Sequence, residues 1–575
     1  MLLRTLLLLL TFTLHASVYL MAQSTSKETL SWDQDKNPGT LLAEKSVWWK
    51  ESAFYQIYMP SFKDSNSDGY SDFKGMTSKL DYLQSLGIKG IWLTPFLKSP
   101  KVDNGYDVAD YYLIDPVYGN MQDFNSFIEA AHKRGIRVIM DMVVNHTSTD
   151  CEWFIESRKS RDNPYRNYYI WRDKPNNWES FFGGSAWEPD ALTNQFYYHK
   201  FDVRMADLNW SNPKVVEEIQ NVLRFWLDLG VDGFRMDVIN FLMTNNTFDD
   251  NPEKDGKQQH IYDIDQQGVQ SAMRTIKATL NEYDNRFIVG EIGSDRLEIL
   301  SKYQASDLMD VVFNFNFGSI PNFSTKRIYS ELKGMDENMP GYPTLFFGSH
   351  DMPRPMNRLA EGDSTRAAAL AALILTAKGV PFIYYGEEIG MQNIIADSYE
   401  EIVDIQGRTQ YNLALKTGKT REESLIIGNN NNRDKSRSPM QWDSGKNAGF
   451  TTGNPWIKLH EQYKTVNVKH SEAQTNSLLK KYKELINLRN KEKTLQYGIY
   501  KKLRNKKDLI SYTRTYRGES LTVLINFGES TSIRIPKGAE ILLDGLPESI
   551  TDRDKENRDI KRIQLETNGY LIYRH

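Results

Sequence analysis

The chain of 575 residues is 40% hydrophobic and 25% charged, a composition that supplies a sizeable core and excludes wholesale disorder. Its 71 basic and 75 acidic residues leave a formal net charge of −4 with no block of like charge, which argues against a phosphate-neutralising nucleic-acid surface. Aromatic residues reach 12%, a supply that suits core packing as well as stacking on flat ligands, so composition leaves the ligand open.

The first residues, MLLRTLLLLLTFTLHASVYLMAQS, read as a leader: Arg4 precedes an unbroken leucine run, and a cut after Ala22 fits a signal peptide over 1–22. Export to a periplasmic or extracellular space is therefore expected, with no stable membrane span once the leader is removed. Residues 5–22 are also just long and apolar enough for an uncleaved anchor. The single cysteine, Cys151, cannot form an intrachain disulfide, so stability rests on the core and on any bound cation. Residues 23–47 read as a linker.

From residue 48 short β-rich runs alternate with amphipathic segments. The expected strands lie at 53–59, 90–94, 137–144, 233–238, 287–291, 311–315, 344–348 and 381–385. Helical patterns at 73–87 and 125–135 each end in glycine, as helix C-termini often do. Eight strands separated by helices is the count of a (β/α)8 TIM barrel; a doubly wound open sheet is the structural alternative. Close to ninety residues separate the third and fourth strands, far more than a crossover needs, so 147–210 reads as an inserted small domain B. The barrel then occupies 48–146 and 211–493, with a second long polar stretch from Gln392 to about Asp434. After it, LISYTRTY, SLTVLINF, STSIRIP and GYLIYRH alternate as antiparallel strands, which predicts a C-terminal β-sandwich over 494–575.

Chemistry in a barrel gathers where strands end at their C-terminal side. Asp237, Glu291 and Asp351 all follow strand runs; His146 and His350 lie in the same positions, and Arg235 stands two residues before Asp237. One acidic residue after a strand is commonly a loop residue or helix cap; three on separate strands are harder to dismiss. Two carboxylates with separated pKa values are the minimal apparatus of glycoside hydrolysis. An arginine beside the nucleophile favours its ionised form, while burial keeps the acid protonated.

The segments DMVVNH (141–146), GFRMD (233–237), VGE (289–291) and SHD (349–351) resemble, in order, four motifs of the α-amylase superfamily, glycoside hydrolase family thirteen. Further similarity at 48–75, 103–111, 181–188, 207–213, 379–391 and 437–443 resembles the branch of oligo-1,6-glucosidases, dextran glucosidases and sucrose isomerases. The resemblance covers about residues 48–470. It implies Asp237 as nucleophile, Glu291 as general acid/base and Asp351 as the third carboxylate, in a retaining mechanism with closely spaced carboxyl groups. It implies sugar contacts from Tyr106, His146, Phe201, Arg235 and His350. It also implies an Asp103–Arg437 ion pair closing the bottom of the pocket, as an exo-acting enzyme needs. Val238, directly after the nucleophile, resembles the residue of α-1,6-preferring members; equally, it reads as an inward barrel residue.

The reading is thus an exo-acting α-glucosidase cleaving α-1,6 bonds, with α-1,4 activity also open, in isomalto-oligosaccharides or related short α-glucans. The alternatives are a glucosyl transferase or isomerase of the same family acting on sucrose or maltose, of sucrose isomerase or trehalose synthase type, and, more remotely, a non-catalytic transporter heavy-chain ectodomain. Asp64, Asn66, Asp68 and Asp72 place oxygen donors at spacings that suit Ca²⁺, and Gly69 permits a sharp turn. The resemblance adds the Tyr70 carbonyl and implies a structural Ca²⁺ (or Mg²⁺) remote from catalysis. An oligosaccharide substrate, no organic cofactor, no nucleic acid and a monomeric state complete the expectation. The polar segment after Val238 departs from the branch and is expected to line the leaving-group side.

Overall fold

The computed structural model describes residues 47–339, 341–545 and 561–575. The leader and nearly all of the linker lie outside the described residues. Among the described residues, no helix is long and apolar enough to cross a membrane.

Eight parallel strands form the centre of the described chain: β1 (Phe54–Ile57), β2 (Gly90–Leu93), β3 (Arg137–Met142), β4 (Gly233–Met236), β5 (Phe287–Gly290), β6 (Val311–Val312), β7 (Thr344–Leu345) and β8 (Val380–Tyr384). They neighbour one another in chain order, and β1 pairs with β8, so the sheet curls into a nearly closed barrel. At the seam between β6 and β7 the Thr344 hydroxyl accepts from the Asn314 amide at 3.1 Å and donates to the Val312 carbonyl at 3.2 Å. The strands are buried on both faces because helices cover the outside and side chains fill the inside, hence their continuous apolar runs. The filling is aromatic: Phe54 stacks on Phe382 at 4.8 Å and on Phe287 at 5.2 Å, with Trp92 and Phe313 beside them.

Local sequence sets the helix limits. The expected helix over 73–87 is two short helices, Phe73–Thr77 and Leu80–Leu86. Thr77 and Ser78 turn their hydroxyls onto the Phe73 and Gly75 carbonyls, which competes with continuation of the first. Gly87 ends the second in the left-handed region that a C-cap requires. The next helix begins earlier than expected, at Met121, because Asn120 and Asp123 form a capping box.

The long excursion after β3 is closed at its neck, where His146–Ser148 pairs antiparallel with Met205–Asp207. It carries a three-stranded sheet of Trp171–Arg172, Gln195–Tyr198 and Trp187–Asp190. The polar stretch after β8 is helical rather than loop: Ile405–Lys416 and Arg421–Asn431, capped by Asp404 and Thr420.

The C-terminal part is antiparallel. β9 (Ile499–Lys506), β10 (Leu509–Tyr516), β11 (Glu519–Asn526), β13 (Glu540–Asp544) and β15 (Gly569–Arg574) make a five-stranded sheet; β12 (Thr531–Ile535) pairs with β14 (Lys561–Leu565). Leu524, Leu571 and Tyr573 of the large sheet pack on Ile535 and Leu565 of the small one, so the expected sandwich has unequal layers. Two buried guanidinium groups join this part to the barrel. Arg489 donates to the Leu375, Leu495 and Gly379 carbonyls. Arg514 donates to those of Thr376, Leu495 and Gly498. Replacing Arg514 by Met removes its bonds to the Thr376 and Gly498 carbonyls and leaves Leu495 to Arg489 alone, and urea unfolding of the full chain is expected to show a loss of about 3 kcal/mol. An unchanged midpoint would show that the contact does not hold the two parts together.

Candidate active site

A cavity of about 1070 Å³ opens at the C-terminal ends of the barrel strands. It brings together Asp103, Tyr106, His146, Phe201, Arg235, Asp237, Val238, Glu291, His350 and Asp351, residues separated by up to 248 positions in the chain. Ladder bonds continue one residue past the strands, from the Asp237 amide to the Met142 carbonyl at 3.2 Å and from the Glu291 amide to the Met236 carbonyl at 2.9 Å. The two carboxyl groups are therefore carried by rigid backbone.

Arg235, in β4, lies at the centre of the charges. Its Nη1 donates to Asp141 Oδ1 at 2.7 Å and also to Asp237, and its Nη2 donates to Glu291 Oε2 at 2.5 Å. Three carboxylates thus share one buried guanidinium, two of them facing the cavity. Burial pushes Asp237 up to about 7 despite Arg235, and Glu291 up to about 8, where the neighbouring Asp237 adds to the shift. Arg235 favours the ionised form of Asp237, as expected, but desolvation outweighs this one shared cation. The two groups interact directly, and Glu291 is the one that keeps a proton longer as pH rises.

Asp351 behaves differently. Burial opposes its charge, but His350, Arg433 and Arg437 together hold its carboxyl below the usual range. His350 Nδ1 accepts from Gln56 Nε2 at 2.8 Å, its Nε2 bonds the Tyr106 hydroxyl at 2.6 Å, and burial pushes it down to about 3. His146, likewise buried, is pushed down to about 4. Both imidazoles are neutral near pH 7. Tyr106 stacks parallel on His350 at 5.4 Å and donates to Asp141 at 3.0 Å, which fixes its ring at the cavity wall. Phe201 gathers with Phe181, Phe182 and Phe241 at centroid distances of 5.7–5.8 Å, three rings from the excursion after β3 and one following β4.

The expected Asp103–Arg437 pair does not form. Asp103 pairs with Arg433 at 2.5 Å; Arg433 also reaches Asp404 at 2.6 Å and Asp351 at 3.5 Å. Arg437 sits one turn further on, beneath the site. It donates to the His350 carbonyl at 2.9 Å, lies 3.4 Å from Asp351 and faces the Tyr58 ring. The physical reason is the helical pair 405–431, which delivers Arg433 at its exit and Asp404 at its entrance. Two arginines four residues apart gave no local signal of which one reaches Asp103. Asp141 and Gln56 were also missed as site residues, although Asp141 opens the DMVVNH segment.

Val238 lines the cavity with φ 38° and ψ 44°, a left-handed conformation costly for a β-branched residue. The turn points its amide at Glu291 Oε2, 3.4 Å away.

In the 64–72 loop, Asp64 accepts from the Asn66, Ser67 and Gly69 amides, and Asp72 from the Ser65 and Gly75 amides. Asn66 and Asp68 lie exposed side by side, 3.0 Å apart. Gly69 has φ +95°, and a Cβ there would meet the Asn454 carbonyl at 2.0 Å. The donors suit a hard cation by chemistry. Among the described residues, however, no three or more His, Cys, Asp or Glu side chains are arranged to hold a metal ion.

A folded-state pKa raised above its unfolded value withdraws stability as pH rises through the folded value. Asp237→Asn removes that loss. Its melting temperature is expected to exceed that of the wild type by a margin that grows between about pH 4 and about pH 7 and is level above that; a margin constant across the whole range would contradict the burial-driven shift of Asp237.

Comparison with known proteins agrees with this geometry. Residues 56–498 match the alpha-amylase family, described as the alpha amylase catalytic domain. An oligo-1,6-glucosidase of Parageobacillus thermoglucosidasius is 39% identical over 559 residues, covering 92% of this chain and 99% of the relative. A trehalose-6-phosphate hydrolase of Escherichia coli is 38% identical over 503 residues, covering 83% and 90%. The solved trehalulose synthase of Pseudomonas mesoacidophila superposes with a TM-score of 0.84 at 35% identity, covering 92% of this chain and 100% of that one. With the motifs, the barrel and the strand-end carboxylates in agreement, the chain belongs to the alpha-amylase family of glycoside hydrolases.

Proposed function

We propose that the protein is an exo-acting, retaining α-glucosidase that removes single glucose units from the non-reducing ends of α-1,6-linked oligosaccharides. The observation that carries the exo reading is the ion-pair cluster in which Arg433 bridges Asp103 and Asp404 beside Asp351, a cross-link that would block a longer chain from passing that end of the cavity. The α-1,6 preference is supported by relatives named oligo-1,6-glucosidase and glucan 1,6-alpha-glucosidase, and by Val238 at the cavity wall.

In this mechanism the ionised Asp237 attacks the anomeric carbon while Glu291 protonates the departing oxygen, so the glycosidic bond breaks as the Asp237–glucosyl ester forms. Glu291, now ionised, takes a proton from water, whose oxygen displaces Asp237. Arg235 stays bound to both groups throughout, and the charge on its two partners is exchanged rather than created. Asp351, held ionised, binds hydroxyls of the distorted sugar. The neutral His146 and His350 line the cavity beside the same ring, and His350 fixes Tyr106 there through its Nε2.

Activity requires the singly protonated pair. The kcat/KM profile is expected to fall below about pH 7 as Asp237 gains a proton and above about pH 8 as Glu291 loses one. Glu291→Gln is expected to remove the alkaline limb for an activated aryl glucoside; its persistence would contradict the assignment. The function itself is tested by incubation with isomaltose, maltose, sucrose and trehalose, with Asp237→Asn as control. Glucose released first as the α-anomer from isomaltose is expected. Equal inertness of wild type and variant on all four would end the reading, and sucrose isomerised without net glucose release would favour the isomerase alternative.

The proposal includes export, with a mature chain starting near Gln23, and a structural Ca²⁺ at the 64–72 loop. Oxygen donors at alternate positions and the fixed turn at Gly69 support the cation, which would be held by Asp64, Asn66, Asp68, Asp72 and the Tyr70 carbonyl. EDTA is expected to lower the melting temperature and added Ca²⁺ to restore it; a melting temperature indifferent to both would remove the cation.

A further inference from the structure

The floor defined by Asp103 and Arg433 places the bound glucose on one side of Asp237 and Glu291. Beyond the carboxylates the cavity is walled by two chain excursions. One is the segment after β3, which presents Phe181 and Phe201; the other follows β4 and presents Gln259, His260 and Ile264. Neither wall belongs to the barrel frame, so the shape of this half depends on how the two excursions are held to each other.

They are zipped together along their length. Asn177 exchanges hydrogen bonds with Asn251, its Nδ2 donating to the Asn251 carbonyl and its Oδ1 accepting from the Asn251 amide, both at 2.8 Å. The Trp178 indole donates to the Asp249 carbonyl at 2.9 Å, and its ring packs on Phe248 at 5.6 Å. These contacts are polar backbone bonds and ring packing at the outer part of the seam.

At its inner end lies a different interaction. Lys200 Nζ donates to Asp263 Oδ2 at 2.7 Å, with side-chain exposures of 1% and 0%. The same ammonium donates to the Glu179 carbonyl and approaches His260 Nδ1, both at 3.1 Å, and Asn251 Nδ2 donates to the other oxygen of Asp263 at 3.0 Å. His260 lies 3.1 Å from Asp263 and lines the cavity. Lys200 is the immediate neighbour of Phe201, and its carbonyl accepts from the Phe181 amide at 2.7 Å. Lys200 thus lines the cavity itself, while Asp263 stands behind the wall that His260 presents. A buried charge left without its partner is strongly destabilising, so the pair resists any motion that separates the excursions.

We propose that Lys200 and Asp263 are positioning residues for recognition of the leaving sugar: their buried ion pair clamps the excursion after β4 to that after β3 and fixes the distance between the two walls. The inference rests on the glucosidase reading. It assigns a role to the polar segment after Val238 and makes that segment a determinant of which leaving group is accepted. Asp263 itself does not reach the cavity, so its influence passes through His260 and the wall.

The test uses the full chain carrying Asp263→Asn, Lys200→Met and both together, assayed on isomaltose and on p-nitrophenyl α-glucoside, whose flat leaving group needs no hydroxyl contacts. Asp263→Asn is expected to lower kcat/KM for isomaltose by about tenfold, mainly through KM, and that for the aryl glucoside by about threefold or less. Inhibition by 1-deoxynojirimycin, which occupies the glucose side, is expected to be unchanged. Because the double variant buries no unpaired charge, it is expected to fold, to show the same substrate split and to be no worse than the worse single variant. An equal fall on both substrates, a split absent from the folded double variant, or additive effects would each overturn the inference. Wild-type protein inert on both substrates would instead remove the glucosidase reading.

Discussion

Arg235 is 1% exposed and its guanidinium faces the buried Asp141 and Asp237 and the partly buried Glu291, so one cation must serve three carboxyl groups. That imbalance forces at least one proton onto the cluster near neutrality, since full ionisation would strand net negative charge away from water. The barrel exists around this constraint. β3, β4 and β5 are adjacent and in register, with Arg235 opposite Asp141 and Val289, which brings the three acids to one guanidinium without any loop having to choose its conformation. A shift of β4 by one residue would turn Arg235 out of the barrel and leave the acids uncompensated.

A second ionic group works at the other side of the glucose. The partly buried Arg433 and the fully buried Arg437 between them meet Asp103, Asp351 and Asp404. Here two cations face three acids, so Asp351 and Asp404 remain ionised while burial still raises Asp103. The two networks differ in charge ratio, and the difference matches their tasks: a proton is exchanged around Arg235, whereas the floor needs fixed charge. Between these charged groups the packing is apolar and aromatic, with rings filling the barrel interior and surrounding Phe201 at the entrance. The near-neutral surface agrees with an uncharged substrate that needs no electrostatic steering.

Much of this was legible in the chain. The eight strands lie where short β-rich runs stand, because a strand buried on both faces has no polar face to disguise it. The positions of Asp237, Glu291 and Asp351 after those runs were visible for the same reason. Helix limits were less so: a hydroxyl at Ser78 divided one expected helix, and a capping box at Asn120 lengthened another. The polar stretch after β8 carried no strong amphipathic pattern, and its two helices went unread. That omission had a consequence at the site, since the exit of the second helix decides that Arg433, not Arg437, meets Asp103.

The sequence by itself determined the eight strand runs and the acidic residues that follow three of them, because run length and strand-end position are local properties of the chain. The choice of a barrel over an open sheet came from the resemblance of its motifs to the α-amylase superfamily. The tertiary structure alone decided the pairings between distant ionic groups. Asp103 with Arg433 spans 330 residues and Lys200 with Asp263 spans 63; neither leaves a trace in spacing. Burial, too, is a property of the fold, and it is burial rather than residue type that lifts Asp237 and Glu291 toward neutrality. Proton placement and pocket shape follow from which charges are excluded from water together, and only the folded chain brings those charges side by side.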